Sequence, residues 1–153
     1  MPRIAIALGS NLGDRTQHLE TAIDLLMPHL RQALVSTFVE TAPEGVSDEQ
    51  PPYLNAAVVG DAQLPPDTFL LRLLSIEEQL GRTRPYWGAP RIIDLDLILY
   101  GDVQLREPGL QIPHPRFRER RFVLEPLTEI APDLVDPVTG KTVEELLAVL
   151  AQQ

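Results

Sequence analysis

The chain contains no cysteine, which rules out disulfides, thiolate nucleophiles and cysteine-ligated zinc. It has no apolar run near the roughly 18–20 residues that cross a bilayer. Its first residues enter a short apolar segment directly, without the basic, apolar and cleavage regions of a secretory signal. A cytoplasmic setting without membrane association is therefore expected. Aromatic residues make up only 5% of the 153 positions, few for the stacked-base platforms of RNA-binding sheets. Basic charge is scarce as well. Against 22 Asp and Glu there are 13 Lys and Arg, a net charge of −9, which disfavours a general nucleic-acid binder. What remains, 44% hydrophobic residues at this length, suits one globular domain over residues 1–153.

The basic charge is unevenly spread. Between Arg82 and Arg121 eight arginines face five acids, a local surplus of +3, while the rest of the chain carries −12. A positive quarter on an acidic body points to a local anion site. Twelve of the thirteen basic residues are arginine, whose planar fork grips phosphate through two bonds.

That quarter contains the stretch around which the chain is organised, Pro90 to Tyr100. It is too short, too apolar and too β-branched for a surface helix, and reads as a buried strand. Strand alternation puts Ile93, Leu95, Leu97 and Leu99 on one face, and Asp94 and Asp96 on the other between Ile92 and Ile98. The carboxylates are then about 6.6 Å apart along the strand. Two like charges so placed favour a cation between them, and magnesium suits hard carboxylate, phosphate and water ligands. A solvated Asp-x-Asp at the end of an edge strand is the alternative. The arginines around it are either plain salt-bridge partners or, with the aspartates, the surround of one magnesium-bound polyphosphate.

The remaining elements follow from periodicity. Arg3 to Leu8 reads as a central strand ending in Gly9-Ser10-Asn11-Leu12-Gly13-Asp14, a turn that lacks the Gly-Lys-Ser/Thr of a P-loop. Leu19, Ala22, Ile23 and Leu26 make a helical stripe over about 15–27, stopped by Pro28. An extended segment over 33–40, a turn-rich loop through Pro52 and a strand over 53–62 come next. Asn55 is a polar guest in that last strand and has to be hydrogen-bonded if buried. Phe69, Leu73, Ile76 and Leu80 predict a helix from Pro65-Pro66 to Gly81. After Asp102 the chain reads as irregular to Ile112, then as helical pieces over 116–130 broken near Pro126. A last helix over 142–152 carries a Thr142-x-x-Glu145 capping box. The order βαββαβ predicts an α+β fold, a ferredoxin-like sandwich with an antiparallel-rich sheet and extra C-terminal helices.

Five segments together resemble the 6-hydroxymethyl-7,8-dihydropterin pyrophosphokinases of folate biosynthesis. They are Ala7 to Asp14, Tyr53 to Val58, Gly81 to Arg84, Ala89 to Ile98, and Pro113 to Arg116 followed by Arg120, Phe122 and Leu124. The resemblance implies transfer of the pyrophosphoryl group of ATP to the pterin hydroxymethyl group, with release of AMP. It implies two Mg2+ ions held by Asp94 and Asp96, and catalytic roles for Arg82, Arg91 and Asp96. ATP would be met by Arg82, Arg84, Arg91, Ile98, His114 and Arg120. Gly9, Thr41, Tyr53, Asn55, Trp87 and Phe122 would line the pterin pocket, and the loop from Arg82 to Pro90 would close over both substrates. The partners implied are these two small molecules, with no nucleic acid and no membrane. Within enzymes the rival is a kinase moving only the γ-phosphoryl group. Outside them it is an RNA-binding sheet, against which the acidic body and paired aspartates speak.

Overall fold

The computed structural model describes residues 2–41, 52–81 and 92–152. Its centre is β1, Arg3–Ser10, an apolar run buried from both sides. β1 pairs antiparallel with β4, Tyr53–Ala62, and on its other edge with β5, Asp94–Tyr100. The far edge of β4 is shared by β2, Leu30–Val35, and β3, Val39–Thr41, so the extended segment expected over 33–40 is two short strands. The sheet order is β2-β4-β1-β5. Helix α1, Arg15–Leu26, links β1 to β2, and α2, Pro66–Gly81, links β4 to β5. Two split βαβ units interlock in this way, which is the ferredoxin-like arrangement.

Strand alternation gives the sheet two cores. Ile4, Ile6 and Leu8 of β1 join Ala56 and Val58 of β4 beneath Leu19, Ala22 and Leu26 of α1 and Phe69, Leu73 and Ile76 of α2. Asp14 caps α1 by accepting the Gln17 N–H at 3.1 Å. On the opposite face Ala5, Ala57 and Val59 meet Val123, Leu124 and Leu127 of α3, Arg121–Ile130, and Val143 and Leu146 of α4, Val143–Ala151. The capping box of α4 forms as predicted, with Thr142 and Glu145 each bonding the other's backbone N–H.

Three expectations are corrected. The alternation along β5 does not hold to its end, because Ile98 is an extra residue: Ala5 pairs with Leu99 and Ile6 with Leu97. This bulge moves Leu99 into the second core beside Ile98, and Tyr100 takes its place in the first. There the Tyr100 hydroxyl donates to the Leu64 carbonyl at 2.6 Å. The stretch after Asp102 is not irregular but holds a hairpin of β6, Leu105–Glu107, and β7, Leu110–Ile112. Its turn is Pro108-Gly109, with Gly109 at φ +78, a conformation that favours glycine. Pro126 does not break α3. It removes one N–H in the middle of the helix, and its ring is buried with Val123, Leu124 and Leu127, whose packing offsets that loss.

A buried ion pair ties the second layer together. Asp136, fully buried, accepts two bonds from the Arg118 guanidinium, one from the Thr139 hydroxyl and one from the Val138 N–H. Burial pushes its carboxyl up, but the Arg118, Thr139 and Val138 bonds outweigh that and hold it below its ordinary value. Arg118 also lies 4.8 Å from the Phe117 ring centroid. Replacing Arg118 with Met strands a buried charge, which costs about 3 kcal/mol and lowers Tm by about 6–12 °C at this size. Because the carboxyl is depressed in the fold, the contribution is complete above about pH 4 and fades as pH falls. Thermal melts of wild type and Arg118→Met at pH 7 and pH 3 should therefore converge on acidification; a constant difference refutes this assignment.

Candidate active site

Helices α3 and α4 cover only one end of the second face. At the other end β1 carries Ala7 and Gly9, small residues that leave the sheet surface low. Register sets two rows across it: Asn55, Gly9 and Asp94 side by side, then Ala57, Ala7 and Asp96. A cavity of about 260 Å³ stands on this floor, walled by Thr41, Tyr53, Asn55, Asp94, Asp96, Arg120 and Phe122. A Cβ on Gly9 would lie 3.3 Å from Asn55 Oδ1 and 3.4 Å from Tyr53 Cδ1, so a larger residue there would raise the floor into the cavity.

The polar walls are held firmly. Asn55, only 4% exposed, donates through Nδ2 to Thr41 Oγ1 at 2.6 Å and to the Val39 carbonyl at 3.4 Å. Its amide oxygen is thereby left toward Gly9 and the cavity. Thr41 and Tyr53 are themselves cross-strand partners. The Arg120 guanidinium lies 5.6 Å from the centroid of the Phe122 ring, within cation–π reach. Charge and aromatic surface thus meet on one wall. The three arginines beside Arg120 in residues 116–121 are paired with acids. Arg118 pairs with Asp136, and Arg116 and Arg121 form exposed pairs with Glu119 and Glu125.

His114 reaches the site through the β5 bulge. Its N–H donates to the Ile98 carbonyl at 2.9 Å, and its Nδ1 accepts the Arg116 N–H at 3.2 Å. The neutral ring then carries its proton on Nε2. Burial lowers its pKa; the Asp96 carboxylate opposes this, and Arg120 and Arg116 add to it. Ile98, expected at the nucleotide, is 1% exposed in the second core, with its carbonyl taken by His114. Arg82, Arg84, Trp87 and Arg91, with the loop that carries them, lie outside the described residues. One residue that sequence reasoning missed is Glu77 of α2, whose carboxylate accepts the Leu95 N–H at 2.8 Å between the two aspartates. The only signal for it was an acid placed directly after Ile76 in a buried stripe.

Residues 5–132 match the family model of 7,8-dihydro-6-hydroxymethylpterin-pyrophosphokinase. The chain belongs to this family. Among relatives, the 2-amino-4-hydroxy-6-hydroxymethyldihydropteridine pyrophosphokinase of Methylorubrum extorquens is 45% identical, over 98% of this chain and 94% of its own length. The enzyme of the same name from Pseudomonas aeruginosa is 38% identical, over 95% of this chain and 90% of its own. In fold, the chain is similar to the Plasmodium falciparum HPPK-DHPS, with a TM-score of 0.78 at 18% identity. That likeness covers 99% of this chain but only 44% of the larger one. This pyrophosphokinase passes a pyrophosphoryl group to a hydroxymethyldihydropterin in folate biosynthesis.

The sign of each influence on His114 can be checked by NMR titration of the metal-free pyrophosphokinase. The imidazole should titrate below its usual value of about 6.5. Asp96→Asn removes the charge that raises it and should move the midpoint lower still, whereas Arg120→Met should move it up. A rise in Asp96→Asn would mean that His114 does not sense the carboxylate.

Proposed function

We propose that the enzyme moves the β,γ-pyrophosphoryl group of magnesium-bound ATP onto the pterin hydroxymethyl oxygen and releases AMP, with Asp94 and Asp96 holding two Mg2+ ions. The observation that carries this reading is the shared row of Asn55, Gly9 and Asp94 across three strands. It sets a hydrogen-bonding amide and a carboxylate on one open floor, two interstrand spacings or about 10 Å apart. A flat heterocycle seated over Gly9, with its polar edge at Asn55 and its arm toward Asp94, fits that span. Tyr53 and Phe122 supply the apolar walls such a ring needs.

The donor set fits magnesium. Among the described residues no group of three or more acids and histidines forms a closed metal cage. A pair of half-exposed carboxylates in an open cavity suits a cation that keeps waters and takes its other ligands from substrate phosphates. When bound, the metal neutralises phosphate charge and orients the transferred group. In the transfer, the hydroxymethyl oxygen forms a bond to the β-phosphorus while the α,β-bridging bond breaks. AMP leaves with that electron pair, and the hydroxyl proton passes to solvent. The protein supplies alignment and charge compensation. His114, through its Nε2 proton, and Arg120 serve as donors to phosphate oxygens. Arg82, Arg84, Arg91 and Trp87 belong to the proposal on the family motifs alone, the first three toward ATP and Trp87 toward the pterin. We place the reaction in the cytoplasm, where ATP and Mg2+ are both at hand.

Incubation with ATP, Mg2+ and the hydroxymethyl pterin should yield AMP in stoichiometric amount; ADP instead would mean transfer of a single phosphoryl group. Asp96→Asn should lose about 10²–10³ in turnover and should release wild-type amounts of neither product at saturating Mg2+. Normal turnover in that variant removes the metal assignment.

Asn55→Leu separates the two halves of the site. It should weaken pterin binding by about tenfold or more, the effect of deleting a buried hydrogen-bonding group, and leave the affinity for an ATP analogue within about twofold. An equal loss for both ligands would refute the placement of the pterin over Gly9.

A further inference from the structure

Among the described residues β5 is the last strand of the sheet, and no described strand pairs with its outer edge. Asp94 and Asp96 face the cavity from this edge strand, and Leu95 between them packs 5% exposed in the first core. The Leu95 N–H points outward and finds the Glu77 carboxylate of α2 at 2.8 Å. Glu77 follows the buried Ile76 and stands one turn beyond the buried Leu73, so it reaches the strand edge from the part of α2 that is packed down.

We infer that Glu77 is a positioning residue for the aspartate pair, acting through the Leu95 backbone. The N–H it holds belongs to the peptide joining Asp94 to Leu95. The same strand is fixed on its inner side by pairing of Asp94 with Gly9 and of Asp96 with Ala7. With both sides held, the peptide plane between the two aspartates cannot rotate, and the separation and tilt of their carboxylates are set before any ligand arrives. A residue without an acceptor would leave that N–H unpaired at a desolvated edge and free the plane to turn. Glu77 is not a third metal ligand, since no cluster of three acids or histidines exists among the described residues. The inference rests on the metal role proposed for Asp94 and Asp96.

The test uses the full chain in four forms: wild type, Glu77→Ala, Glu77→Gln and Asp96→Asn. Circular dichroism and thermal melts establish that each is folded. Hydrogen exchange of the Leu95 amide, followed by NMR, reads the bond without any metal, and should be about tenfold or more faster in Glu77→Ala. Binding of Mn2+ together with α,β-methylene-ATP, read by electron paramagnetic resonance, should weaken about tenfold in the same variant. Glu77→Gln keeps an acceptor, so both readouts should return to within about threefold of wild type. Three outcomes overturn the inference: unchanged Leu95 exchange in Glu77→Ala, unchanged Mn2+ affinity there, or a Glu77→Gln variant as impaired as Glu77→Ala. Asp96→Asn separates the two layers of argument. If it leaves Mn2+ binding intact, the metal reading itself has failed; if it abolishes binding while Glu77→Ala does not, only the positioning role has.

Discussion

A strand must send successive side chains to opposite faces, and every feature of this site follows from that constraint acting on three adjacent strands. Odd positions of β1 and β4 face α3 and α4 at one end of the sheet and the cavity at the other. The same face that sets Ala5, Ala57 and Val59 against the helices therefore turns Gly9, Asn55 and Asp94 toward the cavity. No separate binding element is needed, only a second layer too short to cover the sheet. Because the floor is backbone and small side chains, its height is set by the hydrogen-bonded ladder. The Asn55–Gly9 part of the floor is thereby tied to the ladder, whereas Arg120 and Phe122 come from the chain at the start of α3.

Electrostatics then sorts those segments. Four arginines crowd residues 116–121, yet three are tied to acids and only Arg120 lines the cavity. The two exposed pairs contribute little to stability, whereas Arg118 with Asp136 is a buried, four-bonded junction between the short turn before α3 and the chain leading to α4. One positive cluster in the sequence therefore has two separate duties: Arg118 fixes the wall on which Phe122 stands, and Arg120 presents charge from it.

Elements defined by composition and period were legible in the sequence. The strand over 53–62, the stripe of α2 and the capping box of α4 stand where local pattern puts them. The paired aspartates and Asn55 were legible as well, because a polar residue in an apolar strand is conspicuous without any partner known. What could not be read depends on register or on distant partners. The Ile98 bulge is visible only against Ala5 and Ile6, and so the alternation of β5 was carried past the point where it holds. Glu77 has little beyond its place after Ile76 to set it apart from any half-exposed helix acid, since the Leu95 N–H it accepts is 18 positions away. Pro126 was over-read, because the cost of a missing N–H is local whereas the packing that offsets it is tertiary. The Pro108-Gly109 turn was legible and was passed over, the strands beside it being only three residues each.

The Ile98 bulge has a consequence for how this strand can change over time. It works as a phase shift: residues before it obey one parity rule and residues after it the opposite one. Asp94, Leu95, Asp96 and Leu97 are read by the cavity and the first core in one frame, Leu99 and Tyr100 in the other. Substitutions on the core side of the shift can thus accumulate without constraining which positions face the ligands. Loss of the single extra residue would leave a strictly alternating strand, with Leu97 and Tyr100 still in the first core and Leu99 in the second, but would withdraw the carbonyl on which the His114 corner hangs. One residue of surplus length therefore serves the site through the carbonyl it adds, without altering which neighbours face either core.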